Sequence, residues 1–330
     1  MTEAHRTEAH RTETHRIVFL DRDSLIANVR KPSFAHEWSE YPATRAGDAA
    51  PRLRDASATI AITNKVPLRA DDLAQLPDLK MIAVAATGTD IVDLQACRER
   101  GIVVANIRNY AVNTLPEHTF ALILALRRQL VAYRQDIEAG LWQQSERFCL
   151  FGHPIADLAG SRLGLAGYGA LGRSVARIAG AFGMEVCVFN RSPVTDEGVK
   201  QVTWDELLET SDVLSLHLPL NDQTRNIICA KELIRMKSTA LLINTARGGL
   251  VDEVALADAL RAGVIAGAGF DVLAKEPPPP DNVLLNLRLP NFILTPHSAW
   301  ASSQAMQVLA DQLIDNVEAW QAGTPKNVVG

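Results

Sequence analysis

Apolar residues along the chain gather into short, nearly unbroken runs, separated by longer stretches in which they recur at helical spacing. Ile17-Val18-Phe19-Leu20, Thr59-Ile60-Ala61-Ile62, Met81-Ile82-Ala83-Val84 and Gly101-Ile102-Val103-Val104 form the first set. Such runs suit parallel strands covered on both faces, and they predict a small α/β domain over 17–106. Thr114-Leu115-Pro116-Glu117 has the form of a capping box with Thr114 at the cap, opening an apolar helix that continues through 120–130. That helix reads as the crossing between domains, and 134–146 as a more exposed arm. Six further strands are predicted over 163–166, 185–189, 213–216, 240–243, 265–270 and 292–294. Helices separate most of them, one capped by Thr203 and another running from Asp252 to just before Gly263. This alternation implies a doubly wound parallel sheet. The last helix, over 302–321, repeats Met306, Leu309, Leu313, Val317 and Trp320 on one face, and is expected to return to the first domain. The predicted division is therefore 17–106 with 300–330, and 107–299.

Ahead of Ile17, Thr2-Glu3-Ala4-His5-Arg6 recurs at 7–11 and, with Thr14 in place of alanine, at 12–16. No apolar residue is there to order its histidines and glutamates, so 1–16 is expected to be a disordered tail, and no metal site is expected. Charge narrows the partners: 33 Lys and Arg against 38 Asp and Glu give a net −5 with no basic block, which argues against nucleic acid. The 330 residues suffice for two domains. Cys97, Cys149, Cys187 and Cys229 are scattered, as ordinary thiols in a reducing cytosol are. No run is long enough to span a bilayer, and the N-terminus lacks an apolar signal core. A soluble cytoplasmic protein without a membrane partner is expected, and the apolar helix with its arm is compatible with a homodimer.

Gly167-Tyr168-Gly169-Ala170-Leu171-Gly172 follows the strand at 163–166 and opens a helix, the context that the dinucleotide fingerprint requires. Gly167 permits the tight turn, Gly169 lets backbone approach a pyrophosphate, and Gly172 lets the helix pack on its strand. The free N–H groups of that helix then face the phosphates. Tyr168, Gly169, Ala170 and Leu171 are thus expected at the cofactor. Where an NAD enzyme places an acid for the ribose 2′-OH, this chain has Asn190-Arg191-Ser192. Arg191 would pair with a 2′-phosphate, and Asn190 and Ser192 would hydrogen-bond it without repulsion. NADP(H) is the preferred reading, with NAD(H) as the alternative; a solvated loop arginine needs no ligand at all.

Ligands of open α/β sheets bind beyond the carboxyl ends of the strands, where Arg247, Glu276 and His297 fall. Together they suit carbonyl reduction. Hydride delivery to a 2-keto acid builds negative charge on oxygen, and His297 would supply the proton. Glu276 would hold the ring and favour its charged form. Arg247 would bind the substrate carboxylate and polarise the keto group. Singly, each also reads as a surface ion pair, a loop acid and a strand-end histidine.

The fingerprint, His217-Leu218-Pro219-Leu220, Asn244-Thr245-Ala246-Arg247-Gly248-Gly249, Gly269-Phe270-Asp271-Val272 with Glu276-Pro277, and Thr295-Pro296-His297 resemble the D-isomer-specific 2-hydroxyacid dehydrogenases, in order over nearly the whole chain after the repeat. The resemblance implies a Rossmann-type doubly wound parallel sheet plus a smaller flavodoxin-like α/β substrate domain. It gives Arg247, Glu276 and His297 the substrate-binding and acid/base roles, and puts Asp271 at the nicotinamide carboxamide. It implies further cofactor contacts at Thr114, His217, Pro219, Thr245 and Ala246, although a helix cap explains Thr114 and a locally satisfied histidine explains His217 equally well. Ala86-Thr87-Gly88 would hold the substrate carboxylate through backbone N–H groups. Ile62-Thr63-Asn64-Lys65-Val66-Pro67 and His297-Ser298-Ala299-Trp300 are similar to the glycerate dehydrogenase and hydroxypyruvate or glyoxylate reductase branch. That similarity implies small polar substrates near Lys65 and Trp300, which otherwise read as a surface lysine and a packing tryptophan. A phosphoglycerate dehydrogenase is the alternative within the chemistry, and a dinucleotide-sensing corepressor the alternative outside it.

Overall fold

The computed structural model describes residues 14–330. They divide into two compact units, one holding the described residues up to Tyr110 together with Ser302–Gly330, the other Ala111–Ala301. Both crossings fall a few residues later than the sequence pattern suggests.

The first unit contains β1 (His15–Phe19), β2 (His36–Glu40), α1 (Ala49–Asp55), β3 (Ile60–Thr63), α2 (Ala70–Leu73), β4 (Met81–Val84), α3 (Leu94–Glu99) and β5 (Val103–Ala105). Its strands are all parallel in the order β2-β1-β3-β4-β5, the flavodoxin-like arrangement. Every position of β3 and β4 is buried, which is why Ile60-Ala61-Ile62 and the whole of β4 read as apolar runs. β2 gives no such signal. His36-Glu37-Trp38-Ser39-Glu40 is an edge strand paired with β1 alone, and it leaves its polar side chains partly or fully exposed.

The expected tail runs two residues too far, because His15 and Arg16 open β1. His15 is buried, its ring edge-on to Phe34 and Trp320 and its Nδ1 3.3 Å from the Thr59 hydroxyl. The Arg16 amide donates to the same hydroxyl, and its Nε donates to the Ser57 carbonyl. The ordering groups are distant in sequence, so the repeat itself cannot reveal them. The rest of the tail expectation, and most of the repeat, lies outside the described residues.

The C-terminal helix (Ser303–Gln321) starts at Ser302, whose hydroxyl accepts from the Ala305 amide, and buries Leu309, Leu313 and Val317. It packs on the first unit with paired amides. The side chain of Gln307 bonds both N–H and C=O of Asn28, and that of Gln312 does the same for Arg108. Arg30 also reaches the helix, pairing with Glu318 and Asp315.

The second unit begins with α4 (Thr114–Arg127) and α5 (Leu130–Glu138), and continues with β6 (Arg162–Ala166), α6 (Ala170–Ala181), β7 (Glu185–Phe189) and β8 (Val199–Gln201). It then adds α7 (Trp204–Thr210), β9 (Val213–Leu216), α8 (Ala230–Arg235), β10 (Leu241–Asn244), α9 (Glu253–Arg261), β11 (Gly267–Phe270) and β12 (Phe292–Leu294). The sheet order is β12-β11-β10-β9-β6-β7-β8, all parallel, so strand order reverses between β6 and β9. That reversal is the switch point at which doubly wound sheets bind ligands. Leu207, Leu233, Leu256 and Leu260 lie in one core cluster, Phe120, Ile123, Leu126, Val175 and Ala179 in another.

Thr203 caps α7 as its sequence predicts, accepting from the Glu206 amide, and Asp252, read as the start of its helix, stands just before α9 as its cap and accepts from the Val254 and Ala255 amides. Thr114 does not cap α4. It is already helical, the preceding Asn113 stands at the cap without a side-chain bond, and the Thr114 hydroxyl donates to the Ala299 carbonyl at 3.4 Å. Among the described residues, no helix is long and apolar enough to cross a membrane.

Candidate active site

At the glycine turn between β6 and α6, two of the three glycines are required by packing and one is not. Gly167 has φ +97°, and a Cβ there would lie 2.6 Å from the His217 carbonyl oxygen. A Cβ on Gly172 would lie 2.6 Å from the Gly167 carbonyl oxygen. A Cβ on Gly169 would meet nothing within 4 Å, and no side chain caps α6. Open space above Gly169, next to uncapped helix N–H groups, fits the pyrophosphate of a dinucleotide. Ala170 and Leu171 begin the helix there.

The loop after β7 is tied to this turn. Asn190 Oδ1 accepts from the Tyr168 amide, while its Nδ2 donates to the Ser192 carbonyl. Gln201 on β8 donates to the Asn190 and Ser192 carbonyls and accepts from the Val194 amide. Neither β8 nor Gln201 was legible in the sequence, since Val199-Lys200-Gln201 is a short, mostly exposed edge strand. Arg191 and Ser192 are exposed. His217, just past β9, bonds the Ser215 hydroxyl through Nε2 at 2.9 Å. Burial pushes its imidazole down to about 4, so it is neutral near pH 7.

Arg247, Glu276 and His297 stand past the carboxyl ends of three neighbouring strands, β10, β11 and β12. The Arg247 turn is clasped by buried Asn244, whose Oδ1 accepts from the Ala246 amide and whose Nδ2 donates to the Arg247 carbonyl. Arg247 Nη1 donates to the Ala246 carbonyl. His297 Nδ1 meets Glu276 Oε2 at 2.5 Å, and the other carboxylate oxygen accepts from the Leu273 amide. The structure thus pairs His297 with the carboxylate expected to hold it.

Several residues that support this pair carried no signal for that role. His297 has φ +54°, and its amide donates to the Asp271 carbonyl. Asp271, which the resemblance puts at the carboxamide, is 1 % exposed. Its carboxylate accepts from the Thr295 hydroxyl and from the Ser298 and Ala299 amides, so it holds the turn that carries His297 in its left-handed conformation. His118 Nε2 lies 2.9 Å from the same Thr295 hydroxyl. The Glu276 loop is closed by Glu253, at the start of α9, which accepts from the Ala274 amide and the Asn282 side chain. Thr245 is buried against the Thr119 hydroxyl, and the Pro219 carbonyl accepts from Thr224. Trp300 follows the His297 turn and is half-buried.

In the first unit, Lys65 and the Ala86-Thr87-Gly88 loop follow β3 and β4. Buried Asp21 accepts from the Asn64 and Lys65 amides and so fixes that turn; burial raises its carboxyl above the usual range. The Ala86 carbonyl accepts from the Ile107 amide, and the Thr87 hydroxyl donates to the Ile107 carbonyl. Lys65 is exposed.

Residues 120–299 match the family model described as D-isomer specific 2-hydroxyacid dehydrogenase, NAD binding domain. A glycerate dehydrogenase of Methylorubrum extorquens is 56 % identical over 314 residues, 95 % of this chain and 98 % of that protein. A hydroxypyruvate reductase of Blautia hydrogenotrophica is 35 % identical, covering 84 % of this chain and 86 % of the relative. Among solved structures, an acyclic imino acid reductase in complex with NADPH and D-Arg superposes with a TM-score of 0.83 at 31 % identity, over 96 % of this chain and all of that one. Fold, strand-end chemistry and extended sequence identity agree, and the chain belongs to the D-isomer-specific 2-hydroxyacid dehydrogenases, enzymes that interconvert 2-hydroxy and 2-keto acids.

Proposed function

We propose that the protein reduces a small, polar 2-keto acid, hydroxypyruvate or glyoxylate, with NADPH preferred as the hydride source. The observation that carries the reaction is the His297–Glu276 pair, standing one strand away from Arg247. The dinucleotide, when bound along the glycine turn, supplies a hydride to the keto carbon. Arg247 binds the substrate carboxylate and stabilises the charge that grows on the carbonyl oxygen. His297, held through Nδ1 by Glu276, gives a proton from Nε2 to that oxygen, and the 2-hydroxy acid results. For the Ala86-Thr87-Gly88 loop of the first unit, taken by itself, the proposal is carboxylate binding through its backbone N–H groups. The names carried by the relatives, glycerate dehydrogenase and hydroxypyruvate reductase, support the substrate class. Arg191, with no acid beside it at the end of β7, supports NADPH.

Initial rates with hydroxypyruvate, glyoxylate and 3-phosphohydroxypyruvate, each with NADPH and NADH, test this reading. Fast NADPH-dependent turnover of the first two is expected; preference for the phosphorylated acid or for NADH would refute the corresponding half. A homodimer is part of the proposal. The 130–155 segment exposes Leu130, Leu141, Trp142, Phe148 and Phe151, apolar side chains that a second copy would cover. Sedimentation at micromolar concentration should give twice the chain mass.

A further inference from the structure

No carboxylate stands directly at the end of β7, yet one returns to the same loop at Asp196. Its Oδ2 accepts from the Tyr168 hydroxyl at 3.0 Å and, in a shorter contact, from the Arg173 guanidinium. Tyr168 sits inside the glycine turn. Arg173 lies in the first turn of α6, its guanidinium 4.6 Å from the centroid of the Tyr168 ring. Through these contacts the glycine turn and the first turn of α6 are joined to the loop that carries Asn190, Arg191, Ser192 and Asp196. The pair is open to solvent, with side-chain exposures of 50 % for Arg173 and 37 % for Asp196. Ion pairs so exposed are weak and are readily exchanged for a stronger anion.

Resting on the NADPH reading above, we propose that Arg173 is a second cation of the 2′-phosphate subsite and that Asp196 is its resident counterion, released when the phosphate arrives. A phosphate monoester carries close to two negative charges at neutral pH, and Arg191 balances one of them. Arg173 supplies the other from the glycine-turn side of the same loop, with a planar fork suited to two phosphate oxygens. A dinucleotide without the 2′-phosphate leaves the Arg173–Asp196 pair closed. Asp196 therefore tempers discrimination: it neutralises Arg173 in the free protein and repels the phosphate in the bound one.

The test is equilibrium fluorescence titration of the full chain and its Asp196→Asn, Arg173→Gln and Arg191→Gln variants with NADPH and NADH. Competition by 2′,5′-ADP and 5′-AMP isolates the phosphate. Asp196→Asn is expected to tighten NADPH and 2′,5′-ADP by about three- to tenfold, and Arg173→Gln to weaken them by a similar factor, with both effects shrinking at high salt. NADH and 5′-AMP should move by a smaller factor, since the phosphates they share with NADPH and 2′,5′-ADP meet the backbone N–H groups of the glycine turn and only the 2′-phosphate differs. If either variant shifts both nucleotides by one factor, these contacts are only structural and the inference falls. Wild-type preference for NADPH that depends on Arg191 but not on Asp196 or Arg173 would overturn the inference and keep the NADPH reading. Equal wild-type affinities combined with a shift toward NADPH in Asp196→Asn would do the reverse.

Discussion

Gly248→Ala is the perturbation that most directly probes how the second unit holds Arg247 and Glu276, the groups proposed to act on the substrate. Gly248 follows Arg247 and is buried, and a Cβ there would sit closer than 3.0 Å to the Leu273 carbonyl carbon and oxygen and to the Ala274 nitrogen. All three are backbone atoms, so no side chain can swing aside. Carbon atoms settle about 3.5–4.0 Å apart, and the two segments must therefore separate by on the order of 1 Å. One of them carries Arg247. The other leads into the Glu276 carboxylate, which accepts from the Leu273 amide itself. Overpacking of this kind costs about 1–3 kcal/mol, and a displacement of about 1 Å at reacting groups can cost about 10²-fold in rate. The expected result is a melting temperature lower by about 2–4 °C per kcal/mol and kcat/KM for the keto acid reduced by about 10²-fold. Gly249→Ala is the control, because its Cβ would meet the tips of the Leu220 and Arg225 side chains at 3.1 Å or more. Full activity and an unchanged melting temperature in Gly248→Ala would refute the claim that this backbone contact sets the spacing between Arg247 and Glu276.

Gly169→Ala should behave in the opposite way: melting unchanged, because its Cβ meets nothing, but dinucleotide affinity reduced by about tenfold or more where the pyrophosphate must approach; normal affinity by calorimetry would remove the turn from cofactor binding. His297→Asn, which tolerates the positive φ, and Glu276→Gln should lower turnover by about 10²- to 10⁴-fold with little change in dinucleotide affinity, and unaltered single-turnover rates would exclude the pair from proton transfer. Hydrogen bonding from Arg30 holds the Glu318 carboxyl down to about 2, against an ordinary 4.5. Its stabilising contribution is complete above about 4.5 and is lost as pH falls toward 2. Arg30→Ala should accordingly destabilise the first unit at neutral pH and differ less and less from wild type across that window in acid denaturation; a difference that persists at pH 2 would refute the pairing.

What could be read in advance depended on how local the cause was. β4 declares itself because burial on both faces makes every letter apolar, and β10 does so through Leu241, Leu242 and Ile243. β2 and β8 are held by one neighbour each and keep polar letters, so alternation and burial give no cue. The strand-end positions of Arg247, Glu276 and His297 were legible because each follows an apolar run that forms a strand. Their supports were not. Asp271, Glu253 and Asn244 act by accepting from or donating to backbone groups, and a backbone amide looks alike in every sequence. The Thr114 cap failed for a related reason: the helix begins one residue earlier than the hydroxyl suggests, and that hydroxyl finds a carbonyl far along the chain.

The first unit is assembled from two chain segments separated by the whole of the second. During synthesis this reverses the usual order in which the domain nearer the N-terminus folds first. The second unit is continuous and can close as soon as Ala301 has left the ribosome. The five-stranded sheet, begun long before, must wait for Leu309, Leu313 and Val317 to bury their face and for Gln307 and Gln312 to clasp Asn28 and Arg108. Truncation or stalling within the last helix should therefore yield a chain whose dinucleotide fold is sound while its other half is left to chaperones and proteases.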